Sequence, residues 1–379
     1  MKVVHVLRTA GVPYGAERTV TTIVSTLVKR GADVHVIGVV ETRSGVTREI
    51  VTSLLRRCGC SFDLVETSSR LPFGLAKDLA QVFSREEPAI VHTHGYKCDL
   101  AVLLARPAAA RITTVHGWCS RTKREKFYEW LGVQCEKRLD GVIALCENYR
   151  DRLARRGVPR ERIHVAHVGI DAADVLSTGR DCRAEWGVRG DEALVVQVGR
   201  LSPEKNPLLF AKVASRLMER FPHVKFVLVG EGTLMRNLRP ALPELKGRLI
   251  LAGYIHEMGD VFRAADIMVN CSGTEGLPGA LLEGGVMGVP AVATAVGGVP
   301  EIVEDGVTGI LCPRGDADAL AAGVARLVED ADLRAAMGAA ARERIGAVFS
   351  NDACAERLLE VYEEVLARRH PQARLSASA

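Results

Sequence analysis

The chain has 379 residues, 47% of them apolar and 25% charged, a balance that fits a globular protein with enough chain for two domains, each able to bury a core. No apolar run reaches the roughly 18 to 20 residues needed to span a bilayer, and Met1-Lys2-Val3-Val4-His5-Val6-Leu7 reads as a buried strand without the apolar length or cleavage site of a signal peptide, so a cytoplasmic setting is expected. The formal net charge of +4 is unevenly spread: residues 1–170 carry 27 Lys and Arg against 17 Asp and Glu, and the remainder carries 23 against 29, so the first half is basic and suits an anionic partner or simply a solvated face. The ten cysteines are scattered; Cys58 and Cys60 form the nearest pair and have no matching pair elsewhere, which favours reduced thiols over a zinc site.

Short apolar runs alternate with amphipathic segments along the chain. Val3–Leu7, Val34–Val40, Ile90–His92, Ile112–Val115 and Val142–Leu145 read as buried parallel strands, because they are β-branched and apolar on both faces. Between them lie helical patterns such as Glu17–Arg30, stopped at Gly31. The rhythm restarts with Leu194–Val198, Phe226–Val229, Leu249–Leu251, Ile267–Asn270, Ala291–Ala293 and Gly309–Leu311. The pattern predicts two Rossmann-like, doubly wound α/β domains. The first is expected over 1–168 and the second over 169–350, with the connection in the pattern-poor stretch Ala166–Gly190. A helix over 351–369 is expected to cross back to the first domain, and 370–379, with little to bury, is expected to be a disordered tail.

Ligands of open α/β sheets bind beyond the carboxyl ends of the strands, so the loops there carry the chemistry. Gly11-Val12-Pro13-Tyr14-Gly15 follows the first strand and reads either as a tight turn or as a phosphate-approaching loop. Its glycines are four apart, which is not the dinucleotide fingerprint. Gly199-Arg200-Leu201-Ser202-Pro203-Glu204-Lys205-Asn206 follows the first strand of the second domain; Arg200 and Lys205 are two cations suited to hold a diphosphate and take up its charge as it leaves. Glu275-Gly276-Leu277-Pro278-Gly279-Ala280 follows another strand, with Glu283 inside the next helix. The loop amides and helix start form a polar cradle, and carboxylates beside it can bind vicinal hydroxyls.

With Val229-Gly230-Glu231-Gly232, Gly288-Val289-Pro290, Gly297-Gly298-Val299-Pro300-Glu301 and Gly306-Val307-Thr308-Gly309, these loops resemble the retaining glycosyltransferase family 4, in order over most of the second domain. Gly15-Ala16-Glu17-Arg18, Val91-His92-Thr93-His94, Thr114-Val115-His116-Gly117 and Gly169-Ile170-Asp171 fit more thinly. The resemblance implies the GT-B fold, two Rossmann-like domains facing across a cleft. It implies transfer of a hexose-type sugar from a nucleotide-diphosphate sugar, most often a UDP-sugar, with retention of configuration. It implies that Arg200 and Lys205 hold the diphosphate, Glu283 the ribose, and Glu275 with Gly276, Leu277, Gly279 and Ala280 the sugar. Gly15 would close on the donor, Tyr254 would meet the base, and His116 would sit near the reacting centre.

Two residues depart from the family pattern. Tyr14 stands where many members have glycine. Gly284 stands where alanine is usual after the second glutamate, which should weaken that helix by up to about 1 kcal/mol. His92, His94 and His116 invite a metal reading, but no acidic DxD-type cluster accompanies them, so neither metal nor cofactor is expected. No nucleic-acid motif interleaves basic and aromatic residues. Lys123, Arg124 and Lys126, after Arg121, precede Phe127, Tyr128, Trp130 and Leu131, a pattern for a helix with one basic and one apolar face that would meet an anionic membrane or acceptor. Two rival functions fit the same fold: a phosphorylase using free phosphate, and a non-catalytic sugar-nucleotide-binding subunit.

Overall fold

The computed structural model describes residues 1–9, 16–42, 47–68, 72–117, 122–175, 177–238, 245 and 247–369. The Gly11–Gly15 loop, Arg121 and the tail 370–379 lie outside the described residues. The chain forms two units: Met1–Gly169 with Asn351–Ala379, and Ile170–Ser350.

The first unit winds seven parallel strands: β1 (Lys2–Thr9), β2 (Asp33–Glu41), β3 (Ser61–Thr67), β4 (Ile90–His94), β5 (Ala110–Val115), β6 (Gly141–Ala144) and β7 (Ile163–Val165). They run in the order β3-β2-β1-β4-β5-β6-β7. The crossover helices are α1 (Ala16–Lys29), α2 (Arg48–Arg56), α3 (Phe73–Glu86), α4 (Tyr96–Ala105), α5 (Lys123–Glu136) and α6 (Glu147–Arg155). Two strands had no apolar run to announce them. Both are sheet edges, β3 with an alternating, partly polar face and β7 with three residues, and edge strands lack the two-sided cover that selects continuous apolar sequence.

The second unit has a short helix α7 (Cys182–Glu185) and six parallel strands: β8 (Ala193–Val198), β9 (Val224–Val229), β10 (Leu249–Gly253), β11 (Ile267–Asn270), β12 (Ala291–Thr294) and β13 (Gly309–Cys312). Their order is β10-β9-β8-β11-β12-β13. Helices α8 (Pro207–Met218), α9 (Met235–Leu238), α10 (Met258–Ala264), α11 (Gly279–Val286), α12 (Val299–Ile302), α13 (Ala317–Glu329) and α14 (Ala331–Val348) cover it. Side chains alternate along each strand. Val195, Phe226 and Val269 pack with Phe210 of α8 and Leu320 of α13, while Val196, Val227 and Met268 pack with Phe262 of α10 and Leu282 of α11 on the other face. Ile170, Val175, Cys182, Trp186 and Val188 belong to that second core, so this strand-poor stretch is packed into the unit.

The last helix, α15 (Asn351–Arg369), belongs to the first unit. Its Leu358, Val361, Tyr362 and Val365 bury beside Val3, Ile112 and Ile143. No helix among the described residues is long and apolar enough to cross a membrane.

Candidate active site

Five successive loops at the carboxyl ends of the second unit's strands are stitched together by backbone hydrogen bonds. Gly199 N–H donates to Val229 O (2.9 Å) and Gly230 N–H to Gly253 O (2.7 Å), which joins the loops after β8, β9 and β10. Gly273 N–H donates to Glu204 O (2.8 Å) and Gly298 N–H to Gly276 O (2.8 Å), which adds the loops after β11 and β12. Two glycines are required by this closeness. A Cβ on Gly230, at φ +131°, would fall 2.1 Å from Gly199 O, and one on Gly297, at φ +57°, 2.0 Å from Glu275 O.

On this rim Lys205 and Glu275 come together. Lys205 Nζ lies 2.6 Å from Glu275 Oε1, with side chains 22% and 7% exposed. Buried Gln197, at the end of β8, fixes the loop by donating from Nε2 to Lys205 O at 3.0 Å. Glu275 Oε1 also accepts from Ser272 Oγ (2.5 Å) and Asn270 Nδ2 (3.3 Å). All three donors reach the same oxygen, and among the described residues none engages Oε2. The carboxylate is therefore anchored by one oxygen and can offer the other to a ligand hydroxyl. Ser272 and Asn270 carried no signal in the sequence beyond their place after a strand.

Arg200 is exposed and reaches Glu204 Oε1 at 3.3 Å, so its guanidinium is not locked as Lys205 is. Gly276 and Leu277 lead into α11, capped at Pro278. Gly279 and Ala280 open that helix, where the first N–H groups have no intrahelical partner and the dipole favours an anion. Glu283 is buried one turn further on. Tyr254 follows Gly253 and is 61% exposed. The stitched rim thus carries Arg200, Lys205, Tyr254 and Glu275, with Gly276, Leu277, Gly279, Ala280 and Glu283 on the segment that follows. Gly15 is outside the described residues.

Gly284 proves to be a packing residue and not merely a weak point of the helix. A Cβ there would meet Met268 Cε at 2.6 Å and Phe262 at 3.1 Å, so glycine lets α11 lie close on β11 and α10.

In the first unit half-buried His116 stands just past β5 and leads into a chain of buried rings. Its Nε2 is 3.0 Å from His94 Nδ1, and His94 Nε2 is 3.1 Å from His5 Nδ1. Tyr362 OH lies 3.4 Å from His5 Nε2 and 2.7 Å from His92 Nδ1, and His92 Nε2 ends the chain at Thr114 Oγ1, 2.7 Å away. Burial pushes His5 down to about 3 and His116 to about 4; burial first, then neighbouring imidazoles, hold His92 and His94 well below the usual range. All four are neutral at pH 7, so each ring donates from one nitrogen and accepts at the other. His5 and Tyr362 were not anticipated: they are 357 residues apart and only the fold joins them. His5, His92 and His94 are also close enough to share a metal ion, but each of their ring nitrogens has a protein partner.

The fold is that of the GT-B class, and the chain is a glycosyltransferase. It belongs to glycosyltransferase family 4: residues 13–174 match the family Glycosyltransferase Family 4, and residues 180–344 match Glycosyl transferases group 1. It is 30% identical over 276 residues to a UDP-Gal:alpha-D-GlcNAc-diphosphoundecaprenol alpha-1,3-galactosyltransferase of Escherichia coli, covering 66% of this chain and 69% of that one. It is 29% identical over 246 residues to an alpha-D-kanosaminyltransferase of Streptomyces kanamyceticus, covering 62% and 64%. The chain therefore spans about two thirds of the length of these relatives. The fold matches that of HepE from Anabaena in complex with UDP and glucose, with a TM-score of 0.78 and 20% identity over 96% of this chain and 99% of that one.

Proposed function

We propose that the chain moves a hexose-type sugar from a UDP-sugar to an acceptor hydroxyl with retention of anomeric configuration and without a metal ion. The observation that carries this reading is the Lys205–Glu275 pair at 2.6 Å on a stitched, glycine-lined rim, a diphosphate cation held against a sugar-hydroxyl anchor. The UDP assignment draws on the E. coli relative, named for UDP-galactose, and on the Anabaena complex with UDP and glucose. In this reading Lys205, Arg200 and the first amides of α11 take up the charge of the departing diphosphate. Glu275 offers Oε2 to sugar hydroxyls, Glu283 takes the ribose and Tyr254 meets the base. The bond from the anomeric carbon to the phosphate oxygen breaks while the acceptor oxygen attacks on the same face. The acceptor proton passes to the leaving phosphate oxygen. His116, kept neutral, hydrogen-bonds a hydroxyl of the sugar or the acceptor.

The acceptor belongs to glycan, glycolipid or glycosylated-metabolite synthesis, and a lipid-linked form at an anionic membrane has one structural support. Phe127 and Trp130 are 55% and 56% exposed, with rings 5.8 Å apart, beside exposed Lys123 and Lys126. The two characters do not separate onto opposite faces of α5 as the sequence pattern suggested; they share one exposed face, because Gly132, Val133, Cys135 and Glu136 are the buried positions.

Incubation with a panel of UDP-hexoses and lipid-linked or soluble acceptors tests the function. UDP release with an α-linked product from an α-linked donor, read by the anomeric coupling, is expected. An inverted product, or sugar phosphate formed only when inorganic phosphate is supplied, would reject the reading.

A further inference from the structure

The face of the first unit's sheet that α15 covers is apolar except where polar residues interrupt it. Side chains alternate along a strand, so Val3, His5 and Leu7 of β1 share this face with Ile90, His92 and His94 of β4 and with Ile112 and Thr114 of β5. Val3, Leu7, Ile90 and Ile112 pack with Leu358, Val361 and Tyr362 of α15. His5 lies beside His92 in the strand register, and His94 beside Thr114. All four polar side chains and Tyr362 are buried. Apolar residues would fill such positions at lower cost, whereas a buried polar chain with every member satisfied specifies one arrangement.

The chain Thr114–His92–Tyr362–His5–His94–His116 has a readable direction. Each neutral ring carries one proton, so fixing one hydrogen bond fixes the rest. The Tyr362 hydroxyl has two neighbours, His92 Nδ1 at 2.7 Å and His5 Nε2 at 3.4 Å. Burial holds the phenol protonated. A phenol is a stronger acid than the N–H of a neutral imidazole, so its proton belongs in the short contact; 3.4 Å exceeds the usual reach of an O–H donor. Tyr362 therefore donates to His92 Nδ1, and His92 donates from Nε2 to Thr114 Oγ1, 2.7 Å away. The Tyr362 oxygen is left to accept from His5 Nε2. His5 Nδ1 then accepts from His94 Nε2 at 3.1 Å, and His94 Nδ1 from His116 Nε2 at 3.0 Å. His116 keeps a bare Nδ1, and its hydrogen bond among the described residues is the one to His94.

We infer that Tyr362, acting through His5 and His94, is a positioning residue that locks His116 in the Nε2–H tautomer, so that Nδ1 is presented as a hydrogen-bond acceptor to a substrate hydroxyl. The inference rests on the reading that His116 meets a hydroxyl of the sugar or the acceptor, and it adds the direction of that bond: the hydroxyl donates.

Nitrogen chemical shifts, read by NMR on the full chain with isotope-labelled histidine, show which nitrogen of each ring carries the proton. His5, His92, His94 and His116 are all expected as Nε2–H. Tyr362→Phe keeps the ring and removes the hydroxyl, and His116 should then populate both tautomers. UDP release from the UDP-hexose that the chain uses is followed in parallel. Tyr362→Phe should lower kcat/KM about two- to tenfold, the worth of a neutral hydrogen bond. In a His116→Ala background the same change should lower it no further; equal losses in both backgrounds would make the tyrosine merely structural and overturn the inference. So would an unaltered His116 tautomer in Tyr362→Phe, or a wild-type His116 protonated at Nδ1, which is read without any variant. The Nε2–H pattern in a chain that turns over no UDP-sugar would support the lock and remove the transfer reading. Transfer by a chain whose His116 carries its proton on Nδ1 would remove the lock alone.

Discussion

Lys205 Nζ and Glu275 Oε1 are 2.6 Å apart, so the cation assigned to the diphosphate and the carboxylate assigned to the sugar are one coupled pair. An incoming diphosphate must share the ammonium with Glu275. Lys205→Ala should lower turnover on the order of a hundredfold or more. It also leaves a buried carboxylate with only Ser272 and Asn270 as donors, at a cost of about 1–3 kcal/mol. Arg200→Ala removes an exposed group, so its loss of turnover should come without a change in melting temperature. Activity and thermal unfolding of both variants and of Lys205→Ala/Glu275→Ala check this; strictly additive effects on stability, or normal activity, would dismiss the coupling.

Glu275 and Glu283 lie on the two sides of the Gly276–Gly279 turn, one at the end of a strand and one inside a helix. Glu283→Ala is expected to weaken UDP binding itself, and Glu275→Ala to weaken mainly the sugar-bearing donor. Calorimetric titration of UDP and UDP-hexose on both variants separates the two roles. Equal losses for both ligands would abolish the division.

All six strands of the second unit were legible in the sequence, its edge strands β10 and β13 included, because each leaves a short continuous apolar run. The edge strands β3 and β7 were not, since exposed Glu66 interrupts β3 and β7 is three residues long with a polar residue, His164, at its centre. The site divides in the same way. Glu275 and Lys205 stand at strand ends, where position alone raises their interest. The supports are tertiary: Gln197 holds a carbonyl eight residues on, and Tyr362 reaches His5 only because α15 packs in the first unit. The packing at Gly284 was not legible because local helix propensity says nothing of the methionine and phenylalanine beside it. Glu136 was unreadable for a similar reason, as a glutamate in a charged helix looks solvated until the helix is docked.

Activity should persist in excess EDTA. The groups of metal-ligating side chains found among the described residues are His5, His92 and His94, and His35, Asp63 and Glu86, and neither includes a residue of the Lys205–Glu275 rim. Turnover lost in chelator and restored by a divalent ion would require a metal in the donor site.

The buried titratable groups of the first unit set a stability profile with two limbs. His5 and His116 titrate near 3 and 4 in the folded chain and near about 6.5 when unfolded. The unfolded chain therefore binds more protons below about pH 6.5, and stability falls as pH drops from there towards 4. Glu136 has the opposite sign. Its folded value near 8 exceeds the unfolded value of about 4.3, so the folded chain holds the extra proton and stability falls as pH rises towards 8. Melting temperature against pH should peak between these limbs. Glu136→Leu should flatten the alkaline limb and leave the acid limb in place; an unchanged alkaline limb would show that Glu136 does not titrate in the folded chain.

The exposed face of α5 should bind anionic vesicles. Trp130 and Phe127 present apolar rings that a bilayer interface accommodates, and Lys123 and Lys126 lie one turn away along the same face. Each basic residue near an anionic surface contributes on the order of 1 kcal/mol, an attraction confined to about a Debye length. Flotation with vesicles containing phosphatidylserine is expected at low salt and should fade as salt rises, while neutral vesicles should bind weakly at any salt. Phe127→Ser/Trp130→Ser should weaken flotation at low salt with little effect on stability, since neither ring is buried. Lys123→Glu/Lys126→Glu should weaken it further and remove its salt dependence. Turnover on a soluble acceptor should stay unchanged in both variants, because these side chains face away from the buried side of α5. Flotation that ignores salt, or equal binding by the lysine variant, would mean that the basic face of the helix has no part in docking.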